Sequence, residues 1–320
     1  ESNCHAAIFC GDIVAQHLAN MNVTCDWADT LDFIVTMDPY FTEGAKWSDY
    51  ILPCTSRFEY DEPFGNVKAG YSQIVIQEKV IDPLFEAHTD LWIQRELASR
   101  LGLEAGIPAS SVDRCNAILS TSTEPWVSEL TVEKISENGA VWPVPDREVI
   151  REVVPDQVFP TPTGRMELYY DTMVPFDQQL PQWEPCTEIA DATLRAQFPL
   201  QLTNTRTRFR IHNQFYGSDW LQLMYEPLVM LNPADMESRG LETGDTVRVF
   251  NDRGEFEVHA AANNAIRPGS VRIYEAATAD YTVAGNLQNV TNNTMIERGY
   301  DLMCGPVIPF SDTLVEIEKA

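Results

Sequence analysis

Residues 229–274 read VMLNPADMESRGLETGDTVRVFNDRGEFEVHAAANNAIRPGSVRIY. Asn232-Pro233 opens a short helix and Gly240 closes it. TVRVFN and EFEVHA place apolar residues at alternate positions, the period of a half-buried strand. Asp252-Arg253-Gly254 joins them as a tight turn, and RPGSVRIY adds a strand after a Pro-Gly turn. Just upstream, FPLQLTN (198–204) reads as another strand. Several short strands with one short helix predict a small β-barrel.

The N-terminal third has a different rhythm. LDFIVTMD (31–38) is an apolar run that ends on an acid and reads as a buried parallel strand. TEGAKWSD (42–49) has helical character, and YILP (50–53) reads as the next strand. HTDLWIQRELASRLGL (88–103) spaces Leu91, Ile93, Leu97 and Leu101 as an amphipathic helix stopped by Gly102. The alternation predicts an open α/β sheet, Rossmann-like, over 1–115. Ligands bind such sheets beyond the carboxyl ends of their strands, where Asp38 stands. Asp38 equally fits a turn or a helix cap. From 104 to 195 the chain carries ten prolines, which exclude long helices and central strands. Residues 116–195 are therefore read as a connecting region, in which PTPTGRMELYY (160–170) promises a Gly turn and an alternating strand. The barrel follows over 196–320.

Composition narrows the function. The 320 residues carry 48 acidic and 22 basic side chains, a formal charge of −26, with 44% hydrophobic residues. The length suggests two domains, or one large domain with an insertion. A real core is available, so the chain is no disordered acidic tail. The charge argues against nucleic acid and anionic membrane as partners. No apolar run is long enough to span a bilayer. None of the seven cysteines (4, 10, 25, 54, 115, 186, 304) has CxxC spacing, which leaves no zinc ribbon or local iron–sulfur run. Scattered thiols fit a reduced or anaerobic setting. The opening ESNCHAAIFC has no initiator Met and no signal peptide, so the chain is expected to be the C-terminal piece of a longer polypeptide.

Against that acidic background LTNTRTRFRIHNQF (202–215) is basic: Arg206, Arg208, Arg210 and His212 fall within seven residues. Arginine forks make charge-assisted bonds to a bound oxyanion, and Thr or Asn side chains add neutral donors. A solvated basic patch fits the same composition. Arg208 and Arg210 share a side if the chain is extended, so one of them fits a surface ion pair equally well.

Four stretches, which follow one another along the chain in the family's order, resemble the molybdopterin oxidoreductases of the dimethyl sulfoxide reductase superfamily. Residues 229–274 look like its closing dinucleotide-binding domain, a double-psi β-barrel. DFIVTMDPYFTEGAKWSDYILPCTSRFEYDE (32–62) is similar to its third-domain signature. FPTPTGRMELY (159–169) matches the segment that introduces the last domain. AGNLQNVTNN (284–293) and the terminal LVEIEK are similar to the last cofactor loop and final strand.

The resemblance implies molybdenum or tungsten held by two molybdopterin guanine dinucleotides, with the basic stretch as the first cofactor loop. Arg206 takes the loop's arginine position. Thr203, Thr205, His212, Asn213 and Gln214 are the matching polar residues, with His212 a donor toward the pterin. Asp38 would accept from guanine, and Thr42 and Glu43 would contact ribose. Asn289 matches the loop asparagine near the pterin, flanked by Asn286 and Thr291, although Asn also dominates ordinary turns. Asp49 is expected to face a neighbouring domain. FCGDIVAQH (9–17) departs from the family, because Asp12 would repel a phosphate.

No catalytic residue and no metal ligand can be assigned, since the family carries its metal ligand, and any [4Fe-4S] cluster, N-terminal to these segments. The implied function is to hold the dinucleotide tails and shape the substrate funnel. The implied partners are the N-terminal half of the same enzyme, a small-molecule substrate and an electron-transfer subunit. The compartment is left open between bacterial or archaeal cytoplasm and periplasm. Two alternatives stand beside this reading: a relative catalysing dehydroxylation, hydration or hydroxyl transfer, and a non-catalytic scaffold that has lost the cofactor. The polar residues retained in the loops argue against the scaffold.

Overall fold

The computed structural model describes residues 3–11, 18–60, 73–103, 105–143, 158–294 and 308–320. Asp12, Cys304 and the prolines at 145 and 155 lie outside the described residues. The chain divides into two compact units, one made of 1–36, 41–51 and 168–320, the other of 37–40 and 52–167. Strands β1 (Ala6–Cys10), β2 (Phe33–Asp38) and β3 (Tyr50–Pro53) form a sheet in the order β1-β2-β3, and helix α1 (Met21–Ala28) connects the first two. The expected helical turn before β3 is a single 3-10 turn, Gly44–Trp47. The Asp49 carboxylate accepts the Ile34 N–H at 2.8 Å, which ties the start of β3 to β2.

The second unit contains β4 (Gln73–Val75) paired antiparallel with β5 (Val141–Pro143). Between these strands run α2 (Asp90–Leu101), α3 (Ser111–Ser120), α4 (Pro125–Ser128) and α5 (Val132–Glu137). Thr89 caps α2 by accepting the Trp92 N–H, and Gly102 ends it at φ 67°, a left-handed value that suits glycine. The apolar face of α2 differs from expectation in its last turn, where Leu101 is exposed and Ala98 is buried. Ile76, Cys115, Leu119, Leu130, Val132 and Ile135 form a core of their own. The stretch from 105 to 143 is thus more regular than its place in a connecting region suggests. Pro108 precedes α3 and Pro125 opens α4, so neither interrupts a helix. The strand expected within 160–170 is absent, because alternation makes a strand only where an edge can pair with it. Leu168 and Tyr169 are exposed there, and the Tyr170 N–H donates to the Gln179 carbonyl.

The barrel stands in the first unit. Its strands are β6 (Leu200–Thr205), β7 (Leu228–Leu231), β8 (Thr246–Phe250), β9 (Glu255–Ala262), β10 (Ser270–Tyr274), β11 (Ala284–Gly285) and β12 (Thr313–Lys319). Short helices α6 (Ala192–Gln197), α7 (Asp219–Met224) and α8 (Pro233–Glu237) lie among them. The pairing order β9-β7-β10-β6-β12-β8 closes on itself because β8 also pairs with β9, giving a ring of six strands with β11 added at β9. Alternation is the cause: Leu200 and Leu202, Val247 and Val249, Phe256 and Val258, Val271 and Ile273 all point inward. The Asn232 side chain caps α8 and Gly240 follows at φ 64°, as the sequence predicts.

Candidate functional site

Two strands aim the candidate loops. β6 and β10 are parallel neighbours, with Tyr274 opposite Thr205. The Glu275 N–H continues the ladder by donating to the Thr205 carbonyl at 3.0 Å. Loops starting at 206 and at 275 therefore leave the same edge of the barrel side by side.

The chain turns sharply after β6. The Thr207 hydroxyl accepts the N–H groups of Phe209 and Arg210, and His212 and Phe215 take left-handed φ values of 53° and 66°. That turn separates the three arginines. Arg210 goes inward and is 3% exposed. It donates to the Tyr225 carbonyl at 2.7 Å and to Gln222 Oε1 at 3.2 Å, and its guanidinium lies 4.4 Å from the Tyr216 ring centre. Burial pushes the Tyr216 phenol up to about 12, so at neutral pH it is a donor, and it donates to the Glu275 carbonyl at 2.8 Å. Arg210 is thus a strut that holds the loop. Arg206 and Arg208 stay exposed.

Arg206 and His212 meet at Glu275. Arg206 Nε lies 3.5 Å from Glu275 Oε1, and the His212 backbone N–H donates to the same oxygen at 3.3 Å. His212 Nε2 lies 3.3 Å from Arg206 Nη2. Three arginine–carboxylate contacts elsewhere on the barrel are shorter: Arg239–Glu316 at 2.6 Å, Arg248–Glu255 at 2.5 Å and Arg253–Glu188 at 3.0 Å. Arg206 is held more loosely than these. Gln214 is exposed and Asn213 half-buried on the same loop.

Thr203 and Thr205 alternate away from the core. Thr205 Oγ1 accepts from Arg272 Nε at 2.6 Å. Between them Asn204 Oδ1 is buried with no hydrogen-bond partner.

Asn286 and Asn289 are placed over the β8–β9 turn. Asn286 Oδ1 accepts the Gln288 N–H and caps the 3-10 turn Leu287–Asn289. Asn289 Nδ2 donates to the Glu255 carbonyl at 3.1 Å. Gly254 makes this approach possible, since a Cβ there would lie 3.1 Å from the Asn289 carbonyl oxygen. Thr291 is fully buried and accepts the Asn20 N–H at 3.3 Å.

Glu43 and Thr42 lie against the other loop. Glu43 is 8% exposed and accepts the Ala279 N–H at 2.9 Å, and Lys46 pairs with Asp280 beside it. Thr42 Oγ1 is buried without a partner. Asp38 belongs to the second unit, where Oδ1 accepts the Tyr40 N–H at 2.8 Å, an Asx turn. Among the described residues no three His, Cys, Asp or Glu side chains converge as metal ligands, and no helix is long and apolar enough to cross a membrane.

Burial raises the Glu43 carboxyl above its ordinary range, outweighing the Ala279 N–H. A carboxyl raised by folding favours the native state while protonated, and that contribution is lost as pH rises through its folded value. Glu43→Gln keeps an acceptor for Ala279 and removes the titration. The variant is therefore expected to gain on wild type in urea midpoint as pH goes from about 4 to about 8. A constant difference across that range would assign the burial no energetic weight.

Glu275, Arg272 and the Lys46–Asp280 pair are absent from the sequence-based expectation, and Arg210, read there as part of the basic stretch or as a surface ion-pair partner, is instead buried against the Tyr225 carbonyl. Glu275 had one available signal: it is the first residue after a predicted strand.

Residues 1–100 match the family described as molybdopterin oxidoreductase, and residues 200–305 match the molydopterin dinucleotide binding domain. The chain is 28% identical over 270 residues to the dimethyl sulfoxide reductase DmsA of Escherichia coli (strain K12), covering 78% of this chain and 33% of that protein. It is 28% identical over 295 residues to the dimethyl sulfoxide/trimethylamine N-oxide reductase of Cereibacter sphaeroides, covering 84% and 35%. The chain thus spans about a third of the length of the curated relatives it matches. Among solved structures, the fold is similar to acetylene hydratase from Pelobacter acetylenicus, with a TM-score of 0.75 at 20% identity over 98% of this chain and 44% of that one.

Proposed function

We propose, from the match of residues 1–100 to the molybdopterin oxidoreductase family and of residues 200–305 to the molydopterin dinucleotide binding domain, that this chain belongs to the dimethyl sulfoxide reductase family and is the dinucleotide-holding part of a molybdenum- or tungsten-dependent oxidoreductase. One observation carries the reading. Within the matched segment 200–305, the parallel β6–β10 pair brings a loop with exposed Arg206 and His212 beside the loop that starts at Glu275. The barrel is read as double-psi and the N-terminal sheet as Rossmann-like, the arrangement of the family. The domains are read as 1–115, 116–195 and 196–320.

The residues fit the cofactor's tails. Asn204 Oδ1 and Thr42 Oγ1 are buried polar atoms without partners, and such atoms are costly unless something polar meets them. Arg206 supplies forked donors for a diphosphate. Thr203, Thr205, His212, Asn213 and Gln214 supply the polar surround. Asn286 and Asn289 face the pterin, while Asp38, Thr42 and Glu43 serve the guanosine. The bound metal centre supplies the redox chemistry, and these residues orient its tails. The metal ligand, any [4Fe-4S] cluster, the substrate funnel's other wall and an electron-transfer subunit belong to the rest of the assembly. Sulfoxides and amine N-oxides, named for the relatives, are the substrate class to assay first.

The test is metal and nucleotide analysis of the full-length protein purified anaerobically. Stoichiometric molybdenum or tungsten with about two GMP per chain after acid hydrolysis is the expected result. Well-folded protein with neither would overturn the reading. Arg206→Ala is expected to weaken retention of the nucleotide about 10- to 100-fold, the worth of one charge-assisted bond.

A further inference from the structure

We infer that Glu275 is a built-in competitor of the bound diphosphate: its carboxylate holds Arg206 while the loop is free, and Arg206 must leave it to engage phosphate. This rests on the proposed function and adds a residue that sets affinity.

The geometry makes Glu275 the fixed point of the loop. Its N–H donates to the Thr205 carbonyl at 3.0 Å, and its carbonyl accepts from the Tyr216 hydroxyl at 2.8 Å. The backbone at 275 is therefore bonded on both sides, and its side chain is only 24% exposed. The parallel register sets the first residues after β6 and β10 next to each other, and these have opposite charge. One carboxylate oxygen then receives three contacts: the His212 N–H at 3.3 Å, Arg206 Nε at 3.5 Å and His212 Nδ1 at 3.7 Å. The arginine contact is long and its side chain is 67% exposed, so the pair is weak and releasable. The backbone N–H contact is neutral on the donor side and survives if the charge alone is removed. Glu275 thus does two separable things. Its charge neutralises Arg206 and repels an incoming phosphate. Its acceptor oxygen anchors His212, which sits at a left-handed φ of 53°.

Glu275→Gln separates these roles, because the amide oxygen still accepts from His212 while the charge is gone. Glu275→Ala removes both. The experiment uses the full-length polypeptide made in a host unable to synthesise molybdopterin, with guanosine 5′-diphosphate as the probe, titrated at low and high salt. Glu275→Gln is expected to bind roughly 3- to 10-fold tighter than wild type at low salt, with the gain shrinking at high salt as screening takes over. Glu275→Ala is expected to show faster amide hydrogen exchange across 206–217, which Glu275→Gln does not share. Wild type that binds while Glu275→Gln binds no tighter would overturn the competitor role alone. If neither binds, the anion reading of the loop falls and this inference with it.

Discussion

Arg253→Ala is expected to cost the barrel about 3–5 kcal/mol, because it strands a buried carboxylate. Arg253 reaches Glu188 Oε1 at 3.0 Å with both side chains largely buried, at 16% and 5% exposure. The same guanidinium donates twice to the Val290 carbonyl, at 3.0 and 2.8 Å, directly after the turn that carries Asn289. Glu188 also accepts the Leu314 N–H, and its other oxygen is buried without a partner. Burial already raises the Glu188 carboxyl despite Arg253, so removing the arginine raises it further. A carboxyl raised by folding loses stability as pH climbs through its folded value. The deficit of Arg253→Ala should accordingly be larger at about pH 8 than at about pH 5, where Glu188 can protonate. Denaturant midpoints of the full-length protein at the two pH values check this. A loss below about 1 kcal/mol that ignores pH would mean that the pair is solvated in solution.

Phe256→Ala is expected to cost about 3–5 kcal/mol, the usual penalty for emptying an aromatic site in a packed core. Phe256 is 1% exposed and belongs to the central cluster of the barrel with Val247, Val249, Leu287 and Val290. Its backbone pairs with Gly285, and a Cβ at Gly285 would lie 3.1 Å from the Phe256 Cα. The cavity therefore opens beneath the turn that presents Asn286 and Asn289. Denaturant unfolding should show the loss, and hydrogen exchange should show it reaching residues 284–291. A variant with wild-type midpoint would mean that the neighbouring valines collapse into the space.

The barrel was legible because its strands alternate and its turns carry Pro-Gly, Asp-Arg-Gly and Asn-Pro at the needed places. The register of a strand follows from such alternation, so the inward residues from Leu200 to Ile273 could be read directly. The strand expected after Gly164 failed for the complementary reason, since alternation carries no information about whether a partner edge exists. At the site, Arg206, Arg208 and Arg210 look equivalent in sequence. They differ because β6 ends at Thr205 and the Thr207 turn swings Arg210 under Tyr216. Glu275 escaped notice because its partners lie 63 and 69 positions away, and only the parallel pairing of β6 with β10 makes them neighbours. Asp38 keeps both of its readings: the Asx turn to Tyr40 is present, and the strand end is where ligands of α/β sheets bind.

The ring of six strands also dictates an order of events during synthesis. β12 sits between β6 and β8, so the circle cannot close until residue 319 has emerged from the ribosome. At ~5–20 residues per second, the interval between β6 and β12 lasts roughly 6–24 s. Until β12 arrives, β6, and later β8 once it has been made, present open edges in the nascent chain, a hazard that a chaperone would have to cover. Under the proposed function, nucleotide tails that need the closed barrel can seat only after this segment has been translated.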